Sequence, residues 1–155
     1  MKKIKFLVLN LLILSVLTNC GFKRINNLEN QNYSIKNINI DGEKKIGYFI
    51  RNELLLSSDS KSKNLINIEL LVNKKIEKLE KDISNKVTKY RMTLKVSAKI
   101  KNLRKNKTLE RTFVQNESYD VKSSHSITLK NEKRAANNLA ERISEEFIRY
   151  LRVNF

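Results

Sequence analysis

The sequence has no proline and no tryptophan, and among its 155 residues there are only three glycines, one cysteine and one histidine. A single cysteine excludes an intramolecular disulfide, and with a single histidine it excludes a Cys/His metal cluster. Too few glycines are present for a glycine-rich phosphate loop. His125 lies in a polar run, and no nucleophile–base pair can be assembled around it. We therefore expect a protein that is not an enzyme and that holds no metal or cofactor.

The first 21 residues have the layout of a bacterial export signal. Three lysines, Lys2, Lys3 and Lys5, precede the largely apolar run 6–17, as in secretory signal peptides. Twelve residues at 1.5 Å each reach only about 18 Å, whereas the hydrocarbon core of a bilayer is about 30 Å thick. We therefore predict that this segment is removed rather than retained as a transmembrane helix.

The only cysteine, Cys20, lies where such a signal would be cleaved. Leu17–Cys20 (LTNC) resembles a lipobox, in which the cysteine is acylated and becomes the new N-terminus. Asn19 departs from the usual Gly, Ala or Ser. A lipoprotein is our first interpretation, with an ordinary secretory peptide and an uncleaved anchor as alternatives. The lipoprotein interpretation divides the chain into a signal peptide (1–19), a lipidated N-terminus and tether (20–32) and a folded domain (33–155). The covalent lipid on Cys20 is then the only added group that we expect.

The chain is strongly basic. Its formal net charge is +16, and +13 remains from Cys20 onward, because three lysines and no acids precede it. A basic surface attracts nucleic acid, anionic lipid or acidic glycolipid. Export removes the chain from nucleic acid, so we expect no nucleic-acid partner. An AT-rich genome would also produce this richness in Lys, Asn and Ile, so the charge alone does not identify a ligand.

Hydrophobic periodicity predicts four strands and two helices in the order βαβββα. Residues 74–86 fit either a long hairpin tip or a helical stripe, and we prefer the hairpin. Thr128 is the predicted N-cap of the last helix. The predicted strands span 33–40, 65 to at least 74, 90–101 and 109–116. One predicted helix spans 44–56, and the last helix is predicted from an apolar stripe that runs from 136 to 151.

This order predicts an α+β fold, a two-layer sandwich with a four-stranded, mainly antiparallel sheet and two helices on one face. The strand over 90–101 alternates apolar with polar residues, so one face should meet the core and the other should be exposed. The exposed face would include Arg91, Lys95, Lys99 and Lys101. These side chains either solvate the sheet or bind an anion.

Several features, taken in order, resemble the LptE family of lipopolysaccharide-assembly lipoproteins. They are the lipobox followed by Cys20-Gly21-Phe22, the alternating strand Tyr90–Ala98, a fourth strand leading to Ser118-Tyr119, and a last helix that reads NNLAERISEEFIRYL. The resemblance covers nearly the whole chain after Cys20. Asn19 and the absence of proline are departures from the family pattern.

The resemblance implies a domain anchored by its lipid on the periplasmic side of the outer membrane, where it plugs an LptD-like β-barrel and helps to insert lipopolysaccharide. Gly21 is compatible with outer-membrane sorting, because retention in the inner membrane typically uses Asp there. The family pattern places lipopolysaccharide contacts near a hairpin tip, here Lys81 and Lys86, and just before the last helix, here Lys130. Arg91 and Lys95 are further candidates. An ordinary solvated side chain is the alternative at each position.

A second functional hypothesis is a periplasmic lipoprotein that binds another anionic envelope polymer through the basic face of its sheet. Selective binding of such a polymer, without a barrel partner, would favour it.

Overall fold

The structure, a computed structural model, describes residues 32–155. The predicted signal peptide, Cys20 and the tether up to residue 31 lie outside the described residues. The elements follow the predicted order βαβββα. They are β1 (Ser34–Gly42), α1 (Lys44–Leu56), β2 (Leu65–Lys81), β3 (Val87–Asn102), β4 (Lys107–Asp120) and α2 (His125–Asn154).

The four strands form one sheet in the order β1-β2-β3-β4. The pairs β2–β3 and β3–β4 are antiparallel, whereas β1 and β2 are parallel. The α+β prediction is confirmed, but the sheet is mixed rather than mainly antiparallel. The reason is the helix between the first two strands, because α1 carries the chain back along β1 before β2 begins. A crossover of this kind joins parallel neighbours.

Both helices cover the same face of the sheet and enclose one core. In β3 the predicted alternation holds from Met92 to Ile100, whose inward side chains are buried, and Tyr90 is partly buried. Phe113 of β4 is buried and its ring centroid lies 4.8 Å from that of Phe147 in α2. Within residues 32–155 no helix covers the other face of the sheet, which is called the open face below. In β3 this face is formed by Arg91, Thr93, Lys95, Ser97, Lys99 and Lys101.

The predicted hairpin over 74–86 is confirmed, because β2 continues to Lys81 and β3 starts at Val87. β1 pairs with β2 only as far as Val72, so this hairpin projects beyond the β1 edge. The prediction that Thr128 caps the last helix is wrong. Its hydroxyl donates to the Ser124 carbonyl at 3.3 Å and accepts the Lys122 N–H at 2.9 Å, and the helix starts earlier, at His125.

Neither helix within residues 32–155 combines the length and the apolar character that a membrane span needs.

Candidate ligand-binding surfaces

The hairpin tip holds two of the predicted ligand-binding residues, Lys81 and Lys86. The carboxylate oxygen Oδ1 of Asp82 accepts the backbone N–H groups of Ser84 and Lys86, both at 2.9 Å. Asn85 has a φ of 62°, a left-handed conformation that asparagine tolerates. Its side-chain oxygen accepts a bond from Lys81 Nζ at 2.7 Å. The turn is therefore organised by its own polar residues, and both lysines are exposed on it.

Lys130 does not precede the last helix as predicted. It lies within α2, which begins five residues earlier at His125, and its side chain is exposed. The first turns of α2 nevertheless meet the base of the hairpin. A cavity of about 580 Å³ there is lined by Ile76 and Tyr90 of the hairpin together with His125 and Leu129 of the helix. The structure thus brings Lys130 to the end of the domain from which the hairpin carrying Lys81 and Lys86 projects.

Arg91 and Lys95 lie on the open face, with the sheet between them and the helices. This face is not uniformly basic, because strand pairing inserts acids among the lysines. Lys99 lies between Glu69 and Glu110, and Arg91 has Glu77 as its neighbour in β2. Lys95 is flanked instead by Asn73 and Val114. The sequence pattern identified the basic residues but missed the acids, because their positions depend on the pairing register.

Ion pairs hold further charges near the hairpin. Lys89 Nζ lies 2.9 Å from Glu80 Oε1, and this hydrogen bond raises the pKa of the Lys89 ammonium. Lys75 Nζ lies 2.8 Å from Glu77 Oε1, and that hydrogen bond lowers the pKa of the Glu77 carboxyl. Both pairs are solvent-exposed, so each contributes little to folding stability. They do reduce the number of free cations that this region offers to an anionic ligand.

A groove between the two helices forms a second concave surface, which the sequence did not reveal. It has a volume of about 350 Å³, and its apolar lining includes Ile46 and Phe49 of α1 and Ala136 and Ala140 of α2. Lys74 of β2 lies at one end of this groove, 4.0 Å from Glu43 and 3.6 Å from Glu132. The hydrophobic periodicity of the sequence could not have predicted the groove, because the groove depends on how the two helices pack on the sheet.

Tyr119 packs beside the base of the hairpin, with its ring centroid 5.7 Å from that of Tyr90. Burial, with a smaller contribution from the charge of Glu132, raises the pKa of its phenol to about 12. Tyr119 is therefore neutral at any physiological pH. Among the residues that the structure describes, no group of three His, Cys, Asp or Glu side chains could hold a metal ion.

No protein-family model and no curated protein sequence matches this chain.

Solved structures of bacterial lipoproteins share its fold. Rare lipoprotein B from Shewanella oneidensis is similar with a TM-score of 0.59 and 9% identity, over 76% of this chain and 95% of that one. An uncharacterized lipoprotein B from Nitrosomonas europaea has a TM-score of 0.58 and 14% identity, over 83% and 88%. A minor lipoprotein from Acinetobacter baumannii has a TM-score of 0.54 and 10% identity, over 79% and 94%. The fold is therefore one that bacterial lipoproteins use.

Proposed function

We propose that this chain is a lipid-anchored, non-catalytic subunit of the outer-membrane lipopolysaccharide translocon. In this role its domain plugs an LptD-like β-barrel on the periplasmic side and assists both barrel assembly and the insertion of lipopolysaccharide. One observation carries the proposal. A lipobox-like Cys20 precedes a domain whose fold is shared with solved bacterial lipoproteins over three quarters of the chain or more.

The open face supports the plug role through its chemistry. Apart from the exposed Leu71 and Val114, its large side chains are mainly polar and of both signs. Hydroxyls include Ser97 and Thr112, whose oxygens lie 3.2 Å apart. The interior of a membrane β-barrel is likewise polar. When such a surface enters a barrel, its polar groups can replace their hydrogen bonds to water by hydrogen bonds to the barrel wall. No charge then has to be buried without a partner. A uniformly basic face would favour the hypothesis of another anionic polymer, but Glu69, Glu77 and Glu110 interrupt it.

Lipopolysaccharide carries phosphates, for which lysine is a suitable partner. Lys81, Lys86 and Lys130 would meet such groups at the hairpin end of the domain. Binding of purified lipopolysaccharide by a variant with all three lysines changed to glutamate should fall by about tenfold or more, because three favourable charge contacts become repulsive. The matched control changes Lys105 and Lys107 to glutamate. These exposed residues flank the β3–β4 turn, at the other end of β3.

The functional test is depletion of the protein in the producing cell. The proposal predicts less surface lipopolysaccharide and a misassembled barrel partner. Unchanged surface lipopolysaccharide together with a correctly assembled barrel would refute it. Selective binding of a different envelope polymer by the purified protein would then support the alternative hypothesis.

A further inference from the structure

Helix α1 has large apolar residues on two opposite sides. Its inner side buries Ile46, Ile50 and Leu54 in the core. Its outward side carries a second set, Tyr48, Leu55 and Leu56, which we call the outer patch. Tyr48 and Leu56 are each 52% exposed. Exposed apolar side chains that lie together among polar residues mark interaction sites, so the outer patch calls for an occupant.

Basic residues precede and follow the outer patch along the chain. Lys44 and Lys45 lie at the start of α1, and Lys61 and Lys63 lie in the loop that follows it; all four are exposed. Over residues 44–63 the sequence has five basic and two acidic side chains. An apolar patch edged by lysines is the surface that an interfacial helix presents to an anionic bilayer, with the apolar face inserted and the lysines among the headgroups. The aromatic ring of Tyr48 suits the same interface.

The chain enters the domain beside this patch. The Tyr33 hydroxyl lies 3.2 Å from Ser57 Oγ, and the Ile35 N–H donates to Ser58 Oγ at 2.8 Å. Ser57 directly follows the last residue of α1. Twelve residue steps from Cys20 to residue 32 span at most about 40 Å. A lipid on Cys20 would therefore hold the patch close to the membrane in which that lipid sits.

We propose that the outer patch docks on the surface of an anionic phospholipid bilayer, with α1 lying in the plane of the interface. This inference goes beyond the translocon role and rests on that proposal only for the anchor at Cys20. Tethering raises the effective concentration of the patch at the membrane, so modest intrinsic binding is sufficient. α1 is a second, reversible contact that sets the orientation of the domain relative to the bilayer.

The first test uses a tryptophan reporter, since the chain has no native tryptophan. The chain from Cys20 onward is prepared with Cys20→Ser, so that no lipid is attached, and with Tyr48→Trp. Vesicles of phosphatidylglycerol and phosphatidylcholine should shift its emission to shorter wavelength, and lipid-attached quenchers should reduce it. Val114→Trp is the matched control, because Val114 is also 52% exposed but lies on the open face. It should show neither effect.

The second test measures flotation of the unlipidated chain with the same vesicles. Leu55→Ser with Leu56→Ser should reduce the bound fraction by about tenfold or more, because the inserted apolar area is lost. The control pair, Leu71→Ser with Val114→Ser, removes apolar residues of similar exposure from the open face and should bind as the parent does. Thermal unfolding of each variant verifies that it folds.

The proposal is wrong if the Tyr48→Trp spectrum does not respond to vesicles, or if the two serine pairs lose binding equally. Photo-crosslinking from position 48 to a barrel protein, combined with no vesicle binding, would also overturn it and assign the patch to a protein interface. Vesicle binding through the patch in the absence of any barrel partner would leave this inference intact while the translocon role fails.

Discussion

Replacement of Gly42 by alanine should destabilise the domain although Gly42 is exposed. The residue ends β1 with a φ of +84°, a conformation that costs a residue with a side chain about 1–2 kcal/mol. A Cβ there would lie 2.1 Å from the carbonyl oxygen of Val72. That oxygen accepts the Glu43 N–H at 2.9 Å, a bond worth about 0.5–1.5 kcal/mol. Alanine also restricts the unfolded chain, which stabilises the folded state by up to about 1 kcal/mol. The expected net loss of unfolding free energy is about 2 kcal/mol.

Urea unfolding of the unlipidated chain, followed by circular dichroism, measures this loss. In thermal unfolding, a destabilisation of about 2 kcal/mol should lower the Tm by roughly 6–10 °C for a domain of this size. Asp41→Ala is the control, because its 3.7 Å ion pair with Lys44 is exposed and should change stability by less than about 0.5 kcal/mol. A Gly42→Ala variant as stable as the control would refute the close approach of β1 and β2 at this turn.

Three further predictions concern the core. Phe113→Ala should lower the free energy of unfolding by about 3–5 kcal/mol in the same assay. Val114→Ala, at an exposed position, should change it by less than about 0.5 kcal/mol. Similar losses for the two variants would contradict the assigned faces of β4. Ser57→Ala should cost about 1–3 kcal/mol, because the buried Tyr33 hydroxyl loses its partner, and adding Tyr33→Phe should recover part of that loss. Folding raises the pKa of Tyr119 from 10 to about 12, so its contribution to stability is complete below pH 10 and is lost as the pH rises toward 12. Tyr119→Phe should therefore flatten the decline in unfolding free energy over this range, and an unchanged pH profile would contradict the assignment.

The regular elements could be predicted from the sequence because each has a strong apolar period. Alternation over 90–101 identified the buried face of β3, and the stripe that includes Leu139, Ile143 and Phe147 identified the inner side of α2. In α1 the apolar spacing of Ile46, Phe49, Ile50 and Leu54 predicts one buried stripe, and this prediction was only partly correct. Ile46, Ile50 and Leu54 are buried, but Phe49 is 36% exposed because it turns toward the groove between the helices.

Pairing and surface chemistry could not be predicted in the same way. The parallel pairing of β1 with β2 depends on the path of α1 over the sheet. The acids that neighbour Arg91 and Lys99 come from other strands, and their positions require a register that alternation alone does not determine. Lys130 was placed before the last helix from its position in the run LKNE, whereas the helix begins at His125. The Thr128 hydroxyl, predicted to cap that helix, bonds instead to the backbone of residues 122 and 124. The outer patch was missed because one apolar stripe already accounted for the helix.

The most direct test of the translocon proposal is mild detergent extraction of the outer membrane from cells that express the protein with a C-terminal affinity tag. Mass spectrometry then identifies both the co-purifying proteins and the mature N-terminus. The account predicts a large β-barrel protein in stoichiometric amount, bound to a form that begins at acylated Cys20. A protein that begins at acylated Cys20 but is recovered without a barrel would contradict the translocon role, and an N-terminus other than Cys20 would contradict the anchor.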